Sequence, residues 1–274
     1  MFRIHSKKVF IILRVVICLI LVAVGCIMVY QYRKVSSLCD QIKNGENIDT
    51  TISNAMTAPR WQEEIATILQ VGSPRIPLVE ACYYRNIQAV EVLLANGADP
   101  NIFFKGRFSP LEAAIVYGPI DENSYYIIKL LIDHGADVNK FGSEAPLIIK
   151  LATFIAAGND NPIVQDIVML LFEQNADCYF DGYNKAVFYM VMGGKTNLVS
   201  AYLDKNPHHI NDLNEEGQSF LIEAIIQHER INASEMVELL LSYGINTKIT
   251  DSSGYSAYDY AMQYGLSDIA EIIS

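Results

Sequence analysis

The chain is predicted to be an all-α solenoid of about six helix-turn-helix repeats joined by hairpin-like loops, preceded by a single transmembrane helix. Three observations predict it. First, one phrase recurs along residues 77–274: Leu93-Leu94 runs to Gly97-Ala98-Asp99-Pro100-Asn101, and Leu131 runs to Gly135-Ala136-Asp137-Val138-Asn139. Second, its other half, a small-Pro-Leu opening, recurs as Ile76-Pro77-Leu78, Ser109-Pro110-Leu111 and Ala145-Pro146-Leu147. Self-similarity at a fixed period means stacked supersecondary units, none of which covers its own apolar face alone. Third, Val9 to Tyr32 is a 24-residue segment with one charge, Arg14.

Taken in order, residues 1–8 form a basic flank and residues 9–32 the transmembrane helix. At about 1.5 Å rise per residue the segment exceeds a ~30 Å hydrocarbon core. Tyr30, Tyr32, Arg33 and Lys34 follow as an interfacial border. Arg14 is close enough to the first end to extend its guanidinium to the headgroups. The lipid bilayer is therefore an expected partner through residues 9–32. An uncleaved anchor is favoured over a lipoprotein signal ending at Cys26, because Ile27-Met28-Val29-Tyr30 stays apolar where a soluble tether would begin. Basic residues before the span favour a cytoplasmic N-terminus and repeats outside the cytoplasm, with the inverse topology as the alternative.

Residues 33–72 read as a juxtamembrane linker and an N-terminal cap, Trp61 to Leu69 being helical in pattern. Within them, Ile42-Lys43-Asn44-Gly45-Glu46-Asn47-Ile48-Asp49 resembles a worn Gly-Ala-Asp-Val-Asn ending, so a degenerate repeat across about 36–72 is a second reading.

Residues 73–274 carry the repeats. Aligned on the proline position, they place residues 77, 110, 146, 186, 220 and 257 together, with spacings of 33, 36, 40, 34 and 37. Insertions at 119–124, 158–162 and 228–232 are polar and Gly-, Pro- or Asn-bearing, which predicts turns between paired helices. Ile87, Val90, Leu93 and Leu94 recur at helical spacing, as do Ile127, Ile128, Leu130 and Leu131, and Met236, Val237, Leu239 and Leu240. Gly97, Gly135 and Gly244 follow directly, where a helix takes a left-handed last residue. The fourth copy ends Asn206-Pro207-His208-His209, the fifth has Phe220 at the proline position, and the third keeps Asn175-Ala176-Asp177 without the Gly. The last copy, with Tyr258, Tyr260 and Tyr264, reads as a C-terminal cap.

These residues resemble the ankyrin repeat family, whose unit is a turn, two antiparallel helices and a long loop. The resemblance implies a protein-binding scaffold that meets partners through loop tips and the inner helices of a concave face. It also implies that Asp99, Asp137 and Asp177 organise loop turns through backbone hydrogen bonds. On the loop tips, Phe103, Phe104, Lys105, Arg107 and Phe108, then Phe141, Tyr179 and Phe180, form an aromatic and basic edge. Aligned exposed aromatics are binding anchors. The competing reading is that short loops tuck these rings onto neighbouring repeats.

The first 34 residues carry six of the 20 basic residues and none of the 31 acidic ones, which leaves the remainder at a net −17. Such a surface repels phosphates and argues against nucleic acid. No Cys-x-x-Cys pair occurs among Cys18, Cys26, Cys39, Cys82 and Cys178, so neither zinc nor a disulfide framework is inferred, and Cys82 and Cys178 fit as apolar fillers. Gly193-Gly194-Lys195-Thr196 lacks the Gly four places earlier that a phosphate loop needs, Tyr189 standing there, and reads as an interhelical turn. His208-His209 in extended chain would point apart and lack a carboxylate at ligand spacing. No enzyme and no cofactor are read. The expected function is a membrane-anchored module docking an unidentified protein; the alternative is an envelope-protective or inhibitory protein masking an enzyme or toxin.

Overall fold

In a computed structural model the described residues are 2–46, 48, 75–103 and 106–274, with side chains left out at 2–15 and 21. The segment Trp61 to Leu69 and the loop residues Phe104 and Lys105 lie outside them. Each of the six copies folds as a helix pair. The first helices are α2 (Pro77–Tyr83), α4 (Pro110–Val116), α6 (Leu147–Ala156), α8 (Lys185–Met192), α10 (Phe220–Ile226) and α12 (Ala257–Gln263). Their partners are α3 (Ile87–Ala95), α5 (Glu122–Asp133), α7 (Pro162–Glu173), α9 (Thr196–Lys205), α11 (Ala233–Ser242) and α13 (Ser267–Ile273). Short loops hold isolated bridges at Phe180–Tyr183, Leu213–Ser219 and Thr250–Ser256, and no strand is present among the described residues.

First helices stack on first helices and second on second, as α2 on α4, α6 on α8 and α3 on α5 show. One continuous apolar cluster results, running from Val35 to Ile273. Ala81, Ala114, Ala224 and Ala261 are fully buried, where a larger side chain would hold neighbouring helices apart. Helix ends follow local chemistry. Ser109 and Ser256 accept from the third backbone N–H while Glu112 and Asp259 reach back, a reciprocal cap that satisfies donors the helix cannot. Second helices close with a reverse hydrogen bond, Ala98 N to Leu93 O, Ala136 to Leu131, Ala176 to Leu171 and Ile245 to Leu240, at 2.9–3.2 Å. The third of these needs no glycine: Asn175 takes φ 56°, one of the few non-glycine residues for which that is inexpensive. The degenerate third copy thus keeps the family's turn geometry.

Two readings change. The insertion of the third copy does not fall in the turn alone, since α6 runs ten residues against seven in α2 and α4. Its extra turn is the run Leu151-Ala152-Thr153-Phe154-Ile155-Ala156, with no Gly or Pro to stop it. The helix that carries the apolar N-terminal segment also runs on past Tyr32, into the stretch read as a linker. Helix α1 spans Phe2–Lys43 without a break, and Val35, Leu38, Cys39 and Ile42 near its C-terminus are buried against the first repeat.

That last stretch occupies the place of a first helix. Gly45 has φ 69° and its neighbour Glu46 N bonds Gln41 O at 3.0 Å; Arg85, after α2, has φ 54° and Asn86 N bonds Ala81 O at 2.9 Å. The Asn86 side chain donates to Ile42 O across the joint. Residues 42–46 of the echo are therefore the end of a first helix and not the end of a second one, Asn47 and Asp49 lying outside the described residues. Upstream, Val16, Ile17, Leu19, Ile20, Val22, Val24 and Ile27 are exposed, and the apolar stretch is covered by nothing described.

Candidate functional site

The loop that follows each second helix is held by side chains bonding backbone. Asp99 Oδ1 accepts from Asn101 N at 2.9 Å and Asp137 Oδ1 from Asn139 N at 3.0 Å, while Asp177 Oδ1 accepts from Tyr179 N at 2.9 Å. The asparagines then bridge repeats: Asn101 Oδ1 accepts from Asp137 N and Asn139 Oδ1 from Asp177 N, both at 2.8 Å. At the next step Tyr179 replaces Asn, and its hydroxyl bonds the Asp212 carboxylate and lies 2.6 Å from His209 Nδ1. Asn184 Nδ2 joins by donating to Tyr202 OH and Asp212 Oδ2, each 3.0 Å away. A cavity of about 460 Å³ beside this cluster includes Lys205 and Cys178. Burial raises the Tyr179 and Tyr202 phenols, and the adjacent Asp212 adds to both. The cluster ties the fourth repeat to the third where the ladder of asparagines breaks.

The aromatic edge is half-buried. Phe103 lies over the next loop so closely that a Cβ on Gly142 would fall 2.7 Å from its ring and 2.0 Å from Arg107 O. Gly106 N donates to Gly142 O at 2.8 Å, which fastens the two loops. Phe108 packs on the core with Lys150 Nζ 5.8 Å above its ring, and Phe141 meets Phe180 edge to face at 6.4 Å. Arg107 is exposed. The structure thus brings Phe103 and Arg107 together over Gly142, and Phe141 and Phe180 together one repeat on, as loop-to-loop packing. Tyr179 is separate, committed to the His209–Asp212 cluster.

The first helices present a second surface, which sequence reasoning named as a face without naming its residues. Val116 and Tyr117 at the end of α4 and Phe154 in the last turn of α6 are exposed. Tyr83, Tyr84 and Tyr117 form a ring cluster with centroids 5.0–5.7 Å apart. Two clefts open between first helices and loops. One, of about 310 Å³, is lined by Arg75, Glu80, Tyr83, Tyr84, Arg107 and Phe108 among others; the second, of about 500 Å³, lies between α8 and α10 and includes Phe188, Met192, Glu216 and Glu223. The signal available in the sequence was the run of aromatics, Tyr83, Tyr84, Tyr117 and Phe154, near the ends of successive first helices.

Two buried carboxylates in this region behave oppositely. Glu112 is fully buried, yet its carboxyl is held below the usual range: burial pushes it up, and the Ser109 and Gly142 N–H groups, the Ser143 hydroxyl and Lys150 Nζ outweigh that. Glu223 is 6% exposed and raised, by burial first, with only Gln227 Nε2 donating to it at 2.9 Å and Glu216 adding repulsion.

Of the other strings, Gly193-Gly194-Lys195-Thr196 closes α8 and opens α9: Gly194 has φ 66°, a Cβ on Gly193 would strike Ile155 O at 2.7 Å, and Lys195 pairs with Asp160. The glycines serve close repeat packing. His208 and His209 are not splayed, because Pro207–His209 is a 3-10 turn that brings their rings to 4.2 Å at a tilt of 46° and places His209 Nδ1 3.2 Å from Asp212. Cys82 and Cys178 are buried fillers, as is Cys39, whose thiol burial pushes up to about 12.

A solenoid of helix pairs with an aromatic first-helix face defines a class of protein-binding scaffold. The sequence profile described as "Ankyrin repeats (3 copies)" matches residues 35–141, 153–251 and 187–274, and the chain belongs to the ankyrin repeat family. The first match starts at Val35, where α1 becomes buried. The ankyrin repeat protein YahD of Escherichia coli (strain K12) is 25% identical over 191 residues, 69% of this chain and 89% of that protein. Among solved structures, the ankyrin repeat protein EF0377 is 25% identical with a TM-score of 0.57, over 72% of this chain and 96% of the other. An ankyrin repeat domain (ABAYE2397) from Acinetobacter baumannii AYE matches at 23% and TM-score 0.58, over 72% and 95% of the two chains. The ankyrin repeat domain of Bcl-3, a member of the IkappaB protein family, shares the fold at 16% and 0.57, over 85% and 97%. Ankyrin repeats generally mediate protein–protein interaction, and the family is typically non-enzymatic.

Proposed function

We propose that this protein is a membrane-anchored docking module: residues 9–32 cross the bilayer and the solenoid beyond binds another protein through its first-helix face and loop rims. The observation that carries the reading is the pair of bare apolar surfaces. One is the ring of exposed aliphatic side chains on α1 from Val16 to Ile27; the other is Val116, Tyr117 and Phe154 on the first helices. The first belongs to the 24-residue apolar segment 9–32, whose length and apolarity suit lipid. The second is a set of aromatic anchors beside clefts, the composition of protein-binding hot spots.

Phe103, Phe104, Lys105, Arg107, Phe108, Phe141, Tyr179 and Phe180 supply the rim on this reading, of which Arg107 and Phe108 line the smaller cleft. The N-terminus lies in the cytoplasm and the repeats outside it, by the excess of basic residues before the span.

Crosslinking in intact cells followed by mass spectrometry identifies the partner, and the double variant Tyr117→Ala/Phe154→Ala tests the face. Both side chains are exposed and the ring contacts of Tyr117 among the described residues are with Tyr83 and Tyr84, so the variant is expected to lose no more than about 1–2 kcal/mol of stability and at least about tenfold in partner recovery. Unchanged recovery would reject the first-helix face. Phe103→Ser is the weaker probe, since it removes the ring packed over Gly142 and loosens the loop pair as well.

A further inference from the structure

The repeat register carries an internal comparison that assigns chemistry to the larger cleft. Counting from the proline position, Glu80 and Glu223 are equivalent, each three residues beyond residues 77 and 220. Glu80 is paired in cis: Arg75 Nε donates to Oε1 at 3.0 Å and Nη2 to Oε2 at 3.2 Å, the two-pronged arrangement that guanidinium and carboxylate favour. The residue equivalent to Arg75 beside Glu223 is Gln218, whose amide oxygen instead accepts from Asn214 Nδ2 at 2.9 Å. The same site is thus built twice, once with its arginine and once without.

What remains at Glu223 is a carboxylate more than nine-tenths buried with one donor, Gln227 Nε2, on Oε1. Its second oxygen takes no protein donor among the described residues and is open to solvent, on a residue that lines the cleft. The lysine lining the cleft, Lys185, is spent elsewhere, on Glu215 at 2.7 Å and on Asp181. Glu216 adds a second negative charge that repels Glu223, and Phe188 and Tyr189 supply aromatic walls. A carboxylate so enclosed, with one neutral donor and one oxygen still open, is a site where a cation entering from the cleft gains both charge pairing and hydrogen bonds. Aromatic walls and a forked demand fit a planar guanidinium better than a compact ammonium. The net −17 beyond the first 34 residues draws such a group in.

We propose that the cleft between α8 and α10 receives an arginine side chain of the partner, forked onto Glu223 as Arg75 is onto Glu80. The proposal rests on the docking reading above and specifies the chemistry of the docked segment.

The test uses the full chain in neutral detergent micelles with methyl-labelled Met and Ile, and titrates Ac-Gly-Arg-Gly-NH2 against its citrulline and lysine counterparts. Met192 and Ile226 methyls, both lining the cleft, are expected to shift saturably, with arginine binding at least about tenfold tighter than citrulline. Glu223→Gln should remove that preference. Gln218→Arg should restore the internal pair, raise the melting temperature and exclude the peptide. No saturable shift, equal binding of arginine and citrulline or of arginine and lysine, or an unchanged preference in Glu223→Gln would each overturn the proposal. Loss of partner recovery in Tyr117→Ala/Phe154→Ala alongside any of these leaves the docking face standing and removes the arginine alone.

Discussion

At the residue scale, the two buried glutamates predict opposite responses to the same substitution. Glu112→Gln takes the charge from a carboxylate that holds two backbone N–H groups, a hydroxyl and Lys150, and is expected to cost about 3 kcal/mol at neutral pH. Because the folded carboxyl titrates below its unfolded value, this stability is present above about pH 4.5 and is lost as pH falls through the folded value. Urea midpoints of the two proteins should therefore converge on acidification. Glu223→Gln has the other sign. A carboxyl raised by burial destabilises the fold while ionised, so the variant should melt about 2–4 °C higher at pH 7 and lose that advantage as pH drops and the native acid protonates. A lower melting point at pH 7 would show that Glu223 is a structural support. At Asn175, with φ 56°, Asn175→Ala should cost about 1–2 kcal/mol and Asn175→Gly far less, since only the former places a Cβ without a polar side chain in the left-handed region.

At the scale of elements, the seating of α1 on the first repeat predicts a local effect. Ile42→Ala deletes a fully buried side chain and is expected to cost about 2–4 kcal/mol. A solenoid's stability is a sum of repeat and nearest-neighbour terms, so the loss should be felt first in α2 and α3. Amide exchange should rise there and stay unchanged in α12 and α13; uniform acceleration would contradict the one-dimensional picture. The helices and their glycine-closed ends were legible in the sequence because periodicity and left-handed turns leave local marks, as at Leu93 to Gly97. Other features were not. Arg85 takes a left-handed turn that nothing in an arginine advertises, and the packing of Phe103 depends on the missing side chain of Gly142, 39 residues away. The fate of Ile42–Asp49 was misplaced because both helices of a repeat end in a left-handed residue, and Gly45 alone does not say which. The vacancy beside Glu223 was present in the register as Gln218, but only the geometry of Arg75 on Glu80 gave it meaning.

For the whole molecule, the proposed topology predicts that added protease cuts residues 75–274 in intact cells, whereas protection until lysis would place the repeats in the cytoplasm. An intact mass retaining residues 1–26 would exclude processing at Cys26. The unbroken course of α1 from Phe2 to Lys43 has a geometric effect of its own. Each residue of a helix advances its face by about 100°, so inserting one alanine near Arg33 would swing Val35, Leu38 and Ile42 by that angle relative to the apolar stretch. With the proposed anchor in a bilayer, the compass bearing of the first-helix face around the membrane normal is accordingly set by residue count, like the phase of a screw thread. A partner confined to the same bilayer would meet the protein from one azimuth only.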